Sequence, residues 1–104
     1  VKPNKLPVYD KKIDVAIIFE VLEHVPSPMK TLANLMKQMS PNGVLVENFI
    51  KHENDPDEEP GCDLLSAAME RDQYYQIIKF NFNLIAGDIP EKDPAGTRVW
   101  QLRY

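Results

Sequence analysis

The clearest hydrophobic pattern in the chain is a short apolar run followed by apolar positions at helical spacing. Residues Ile13 to Phe19 are apolar except for Asp14, as is typical of a central parallel strand covered on both faces. Ser27-Pro28 favours a helix start, because serine caps the first turn and proline fits within it. Apolar side chains then recur every three to four residues, at Met29, Leu32, Leu35, Met36 and Met39. The pattern predicts a buried strand and an amphipathic helix.

A turn and a second strand are predicted after this helix. Ser40-Pro41-Asn42-Gly43 should end the helix, since proline cannot continue it and glycine tolerates a left-handed turn. Val44 begins another apolar run, which is predicted to continue as a strand to Phe49 or Ile50. Strand, helix and strand in this order form a βαβ unit, which requires parallel pairing and a right-handed crossover.

The second half of the chain predicts one more helix and a hairpin. Residues 53–61, ENDPDEEPG, carry repelling acidic charges and are interpreted as a solvated loop, with a substrate lid as the alternative. A helix is predicted from Cys62 or Asp63 to Phe80. Asn83–Ala86 and Arg98–Leu102 are short β-type runs, which indicate an antiparallel hairpin with a long connection. Residues 1–12 are interpreted as a lead-in.

Composition narrows the class of protein. The 104 residues make one domain, with 43% hydrophobic and 27% charged residues, as in an ordinary globular protein. The net charge of −4 argues against a surface that binds nucleic acid, and a single cysteine excludes an internal disulfide. The apolar runs are too short to span a membrane and no signal peptide opens the chain, so a cytoplasmic protein without a membrane partner is expected.

Polar residues cluster where the first strand is predicted to end. Glu20, Glu23 and His24 form an E-x-x-E-H pattern within FEVLEHVPSP. Open α/β sheets bind ligands in the crevice beyond the carboxyl ends of their strands. If the segment turns helically, Glu20 lies on one face with Glu23 and His24. Two carboxylates and an imidazole suit Mg²⁺ or Mn²⁺, so the pattern predicts a candidate metal site.

The exit of the second strand supplies further candidates. Asn48 and Phe49 face the same crevice if the two strands are parallel, and they are predicted to lie on the substrate side. A polar pair ending a buried strand is unusual, because buried polar groups must be hydrogen-bonded. His52 follows as a candidate metal ligand or general base. Phe19 could equally be a core residue, and core packing is favoured for Tyr74 and Tyr75.

Two segments together, DVAIIFEVLEHVPSP and SPNGVLVENF, resemble the C-terminal half of class I S-adenosylmethionine-dependent methyltransferases. The resemblance implies an α/β fold with a partial Rossmann-like sheet, in which parallel βαβ is followed by a helix and an antiparallel hairpin. It implies that residues 1–104 are the C-terminal half of a methyltransferase-like domain. S-adenosylmethionine would be the cofactor, with Phe19, Glu20 and Val21 on its side of the crevice, and a small molecule the expected substrate.

The resemblance also bears on the metal. Methyltransferases that act on catechol-like quinone precursors or on RNA 3′ ends carry a similar Glu-x-x-Glu-His metal site. Carried over, Glu20, Glu23 and His24 would bind Mg²⁺ and orient a substrate hydroxyl, with Glu23, His24 and His52 as catalytic residues. Many relatives, however, carry Leu-Glu-His without a metal, and there the histidine closes the pocket or bonds to the backbone.

The chain departs from this family in its glycines. Gly43, Gly61, Gly87 and Gly96 stand singly, so the GxGxG loop that cradles the cofactor at a helix N-terminus is absent. We therefore expect a fragment that is inactive alone and pairs with a missing N-terminal half, or self-associates through an exposed Ile13–Phe19 edge. The alternatives are a non-catalytic interaction or scaffold module, one half of a split methyltransferase, and an unrelated small α/β ligand-binding domain.

Overall fold

The computed structural model describes residues 12–50 and 65–104. The lead-in, the acidic loop, His52 and the predicted start of the second helix at Cys62 or Asp63 therefore lie outside the described residues, apart from Lys12. The elements in chain order are β1 (Ile13–Ile18), a 3₁₀ turn (Leu22–His24), α1 (Pro28–Gln38), β2 (Met39–Glu47), α2 (Leu65–Asn81), β3 (Phe82–Ala86) and β4 (Arg98–Leu102).

The four strands form one mixed sheet in the order β1-β2-β4-β3. β1 and β2 are parallel, with Val15 opposite Val44 and Ile18 opposite Glu47. β4 lies between β2 and β3 and is antiparallel to both. The structure confirms the α/β class, the βαβ unit and the antiparallel pairing of the last two strands. The carboxyl ends of β1 and β2 therefore lie at the same edge of the sheet.

The start of α1 follows the sequence prediction. The Ser27 hydroxyl oxygen accepts a hydrogen bond from the Lys30 backbone N–H at 3.3 Å, with Pro28 in the first turn. The Ser27 hydroxyl also donates to Glu70 Oε1 of α2 at 2.8 Å. Glu70 Oε1 accepts a second hydrogen bond, from the Met29 N–H at 3.0 Å. Glu70 thus completes the cap and joins the two helices, which the sequence did not indicate.

The predicted P-N-G turn is instead an irregular start of β2. The prediction that the helix ends before this segment is confirmed, since α1 stops at Gln38. Met39 is already extended, however, so β2 begins five residues before the predicted Val44. Three residues of β1, from Ile13 to Val15, lie opposite six of β2, from Met39 to Val44, because the intervening residues bulge. Asn42 adopts a left-handed φ of 58° there. The bulge accommodates Pro41, which has no amide to donate to the ladder.

Both helices cover the same face of the sheet. Leu45, Trp100 and Leu102 point to the helices and are buried. On the opposite face, Val15 and Ile17 of β1 are 58% and 64% exposed. The prediction that β1 is covered on both faces is therefore wrong for the described residues, since the two helices between them shield one face only. No helix in residues 12–50 and 65–104 is both long and apolar enough to cross a membrane.

Candidate functional site

The exits of β1 and β2 are hydrogen-bonded to each other. The Asn48 backbone N–H donates to the Ile18 carbonyl at 3.1 Å, which extends the parallel ladder past the end of β2. The Asn48 side-chain oxygen Oδ1 accepts from the Glu20 backbone N–H at 2.7 Å. Glu20 itself has a left-handed φ of 54°. The structure thus brings Glu20 and Asn48 together at the carboxyl edge of the sheet, where the sequence placed them.

The E-x-x-E-H residues do not form a three-ligand metal site. The helical spacing assumed for them fails, because the left-handed Glu20 turns the chain before the 3₁₀ turn begins at Leu22. Glu20 is exposed, whereas Glu23 is only 3% exposed. Among the residues that the structure describes, no group of three or more His, Cys, Asp and Glu could hold a metal ion. The predicted role of His52 as a ligand or base stays a prediction.

Glu23 is a buried carboxylate whose hydrogen-bonding needs the fold does not meet. Neither of its oxygens has a hydrogen-bond partner in the structure. His24 Nε2 lies 3.4 Å from Glu23 Oε1, which is longer than a good hydrogen bond. The His24 side chain is 41% exposed. The pair therefore joins one buried and one half-exposed side chain, directly after the strand exit.

Glu47, the last residue of β2, is in the opposite situation. It is fully buried, and its Oε1 accepts from Arg98 Nε at 3.1 Å and from Trp100 Nε1 at 2.8 Å. Its Oε2 accepts from the Tyr75 hydroxyl at 2.9 Å, and that hydroxyl accepts from an Arg98 amino group at 2.5 Å. Burial and the nearby Glu47 charge raise the pKa of Tyr75. This network joins β2, β4 and α2 beneath the strand exits.

The aromatic residues near the site belong to the core. The Phe49 side chain is 1% exposed, so the prediction that it lines the substrate side of the crevice is wrong. Its ring packs against Tyr74 at 5.4 Å, nearly perpendicular, and against Tyr75 at 6.2 Å. The favoured core interpretation of the two tyrosines is confirmed. Burial also raises the pKa of Tyr74, whose hydroxyl has no hydrogen-bond partner in the structure.

Cationic side chains hold the β3–β4 connection beside the β2 exit. Arg71 of α2 donates to the Phe49 carbonyl at 3.2 Å and to the Pro94 carbonyl at 2.6 Å. Arg98 donates to the Asp93 carbonyl at 2.7 Å. Sequence reasoning missed both arginines. An arginine within a short apolar β-run was the available signal for Arg98, since a charge there must be paired.

The predicted cofactor-side residues lie at the surface. Phe19 and Val21 are exposed apolar side chains on either side of Glu20. All three follow directly on β1, at the edge where the sheet also ends with Asn48. Exposed apolar groups beside a carboxylate can contact a ligand that is apolar in one part and carries hydrogen-bond donors in another.

The parallel β1–β2 pair and its inserted antiparallel β4 define an α/β domain of the Rossmann-like methyltransferase type. A family model described as "Methyltransferase domain" matches residues 1–82, more than half of the chain, and the chain belongs to this family. The match covers both strand exits. Neither the search of curated proteins nor the search of solved structures gives a match.

Proposed function

We propose that this domain is the part of an S-adenosylmethionine-dependent methyltransferase that carries the β1 exit and the substrate side of the crevice. The observation that carries the proposal is the family match over residues 1–82, which spans both strand exits. A small molecule is the proposed methyl acceptor, because a net charge of −4 gives no basic field to attract a polyanion.

The residues after β1 fit the cofactor. The exposed Phe19 and Val21 would contact its apolar parts, and the exposed Glu20 carboxylate would accept hydrogen bonds from its hydroxyl or ammonium groups. When bound, S-adenosylmethionine supplies a methyl group on a sulfonium, which passes to the acceptor while the C–S bonding electrons return to sulfur. The domain contributes chiefly by aligning the two reactants in the crevice.

Glu23 and His24 are proposed to handle the acceptor's proton. The half-exposed His24 ring would take the proton as the acceptor's lone pair attacks the methyl carbon. The buried Glu23 carboxylate, 3.4 Å from His24 Nε2, would stabilise the imidazolium that results. His52 remains a second candidate for this base. The described residues hold no group of three ligands for Mg²⁺, and the proposed proton transfer uses protein side chains.

Cofactor binding is proposed to need a second segment. The chain has no GxG sequence, so it lacks the backbone amides that cradle the cofactor's polar groups. Within the described residues, β1 pairs with β2 alone and exposes Val15 and Ile17. Parallel strands are normally covered on both faces and paired on both sides. We propose that polypeptide carrying the glycine-rich loop lies against β1, and that the 104-residue chain alone is inactive.

Titration with S-adenosylmethionine tests this function. The 104-residue chain and a longer protein that includes a GxGxG segment would be compared by calorimetry, with and without Mg²⁺. We expect tight binding only in the longer protein. Glu20→Gln should weaken it about tenfold or more, because a hydrogen bond to a charged group is lost. The control Asp72→Asn, on the exposed side of α2, should leave affinity unchanged. Binding by neither protein would refute the proposal.

The second candidate is a non-catalytic interaction module. The exposed Val15, Ile17 and Ile85 favour it, since soluble domains rarely leave such a sheet face open. Light scattering after size-exclusion chromatography separates the outcomes for the chain alone. A dimer indicates self-association through β1, and a monomer that binds the glycine-loop polypeptide without gaining cofactor affinity indicates a scaffold.

A further inference from the structure

Glu20 has a backbone conformation that its side chain does not favour. Its φ of 54° lies in the left-handed region, where a residue with a Cβ atom meets a steric penalty that glycine avoids. Such residues persist only where the surroundings hold them, and they concentrate at functional sites. Here the strained residue lies two positions after the end of β1, at the start of the segment that enters the crevice.

One neighbouring residue, Asn48, supplies the restraint. Its backbone N–H donates to the Ile18 carbonyl, and its side-chain oxygen accepts from the Glu20 N–H at 2.7 Å. Both contacts come from the residue that directly follows β2, so they tie the bend after β1 to the parallel strand beside it. The Glu20 N–H, which lies past the end of β1, is thus met by a side-chain oxygen.

We propose that Asn48 is a positioning residue, whose side-chain oxygen holds Glu20 in the left-handed conformation and so sets the direction in which residues 19–21 enter the crevice. This role differs from the substrate contact predicted from the sequence, since the Asn48 Oδ1 atom is used within the fold. The inference rests on the proposed function only where S-adenosylmethionine affinity is measured. The backbone geometry can be tested without any ligand.

The ligand-free test measures the backbone at residue 20 by nuclear magnetic resonance. Asn48→Ala should speed amide hydrogen exchange at residue 20 about tenfold or more, because the acceptor is lost. Asn48→Asp keeps an oxygen in the same place and should stay near the wild-type rate. The backbone chemical shifts of residue 20 should leave the left-handed range in Asn48→Ala and remain within it in Asn48→Asp.

Two variants of Glu20 separate the effect of the backbone conformation at residue 20 from the effect of losing its carboxylate. Glu20→Ala and Glu20→Gly both lack the carboxylate, but only glycine adopts positive φ without strain. Adding Asn48→Ala to Glu20→Ala should displace residue 20 from the left-handed range and lower S-adenosylmethionine affinity about tenfold in the longer protein. The same change in the Glu20→Gly background should alter the affinity about twofold or less.

The results distinguish this inference from the function it accompanies. Unchanged exchange and chemical shifts in Asn48→Ala would overturn the positioning role, whatever binds. Equal affinity losses in the two Glu20 backgrounds would also overturn it, since a merely structural effect would not depend on the glycine. Exchange and shifts that change as expected, with no cofactor binding by any variant, would support the positioning role and refute the methyltransferase proposal.

Discussion

Replacing Tyr75 by phenylalanine should destabilise the domain, whereas the same change at the adjacent Tyr74 should not. The Tyr75 hydroxyl donates to Glu47 Oε2 and accepts from Arg98, and both of these partners are fully buried. The Tyr74 hydroxyl is equally buried but has no hydrogen-bond partner among residues 12–50 and 65–104. Hydrogen bonds to charged groups contribute about 1.5–3 kcal/mol, so Tyr75→Phe should lower the free energy of unfolding by that amount.

Tyr74→Phe removes a buried hydroxyl that makes no hydrogen bond within the described part of the chain. The expected change is between zero and a gain of about 1 kcal/mol, because an unsatisfied polar group is removed without breaking a hydrogen bond. Both substitutions keep the aromatic ring, so the packing of Phe49 against the two rings is the same in each variant. The pair therefore isolates the contribution of the hydroxyl to the Glu47 network.

Urea unfolding followed by tryptophan fluorescence measures the difference. Trp100 is the only tryptophan, is buried, and donates from Nε1 to Glu47 Oε1, so its emission reports on the network itself. With a slope of about 1.5 kcal/mol per molar urea, Tyr75→Phe should lower the midpoint by roughly 1–2 M. Equal shifts in the two variants, or a larger loss in Tyr74→Phe, would refute the assignment of the network.

Three further changes test the same region. Arg98→Met should lower the free energy of unfolding by about 3–5 kcal/mol, because Glu47 then stays buried without its cation. The double variant Glu47→Leu/Arg98→Met should lose less than Arg98→Met alone. Losses that simply add in the double variant would contradict this. Gly87→Ala should lower the free energy of unfolding by about 1–3 kcal/mol or more, since the Gly87 φ is 89° and the new Cβ would lie 2.5 Å from the Thr97 carbonyl oxygen. A loss below about 0.5 kcal/mol would contradict this. The raised pKa of Tyr75 keeps its phenol neutral when the unfolded chain ionises near pH 10. Tyr75 should therefore lower stability above that pH by up to about 1.4 kcal/mol per unit, in addition to Tyr74, whose pKa is also raised. Tyr75→Phe should remove the Tyr75 part of the fall, and an unchanged pH dependence contradicts this.

The elements were predictable where local patterns decide them. The Ser27-Pro28 start of α1 and the β4 run Arg98–Leu102 appear as expected, because a capping serine and β-type composition act locally. The exposure of Val15 and Ile17 was not predictable. A strand can have the same continuous apolar sequence whether one or both of its faces are covered. Only the packing of α1 and α2 decides which of its residues are buried.

The site was predicted in position but not in geometry. Glu20 and Asn48 meet because parallel strands end at one edge, which follows from the βαβ pattern. The metal site was expected on the assumption that residues 20–24 turn helically, and the left-handed Glu20 breaks that assumption. Arg71 was missed because its partners, the Phe49 and Pro94 carbonyls, lie 22 and 23 residues away in sequence.

Three glutamates lie at or just after the strand exits, and their hydrogen bonds show which carboxylates the fold already uses. Glu47 accepts hydrogen bonds at both oxygens from β4 and α2, so its charge is already used in holding the sheet to a helix. Glu20 presents an exposed carboxylate on a strained backbone, and Glu23 keeps a buried carboxylate to which none of the described residues donates a hydrogen bond. Burying a carboxyl group without a hydrogen-bond donor is costly, so folding alone does not explain Glu23. The two glutamates whose bonding the fold leaves incomplete are therefore the candidates for ligand and proton chemistry, while the third is structural.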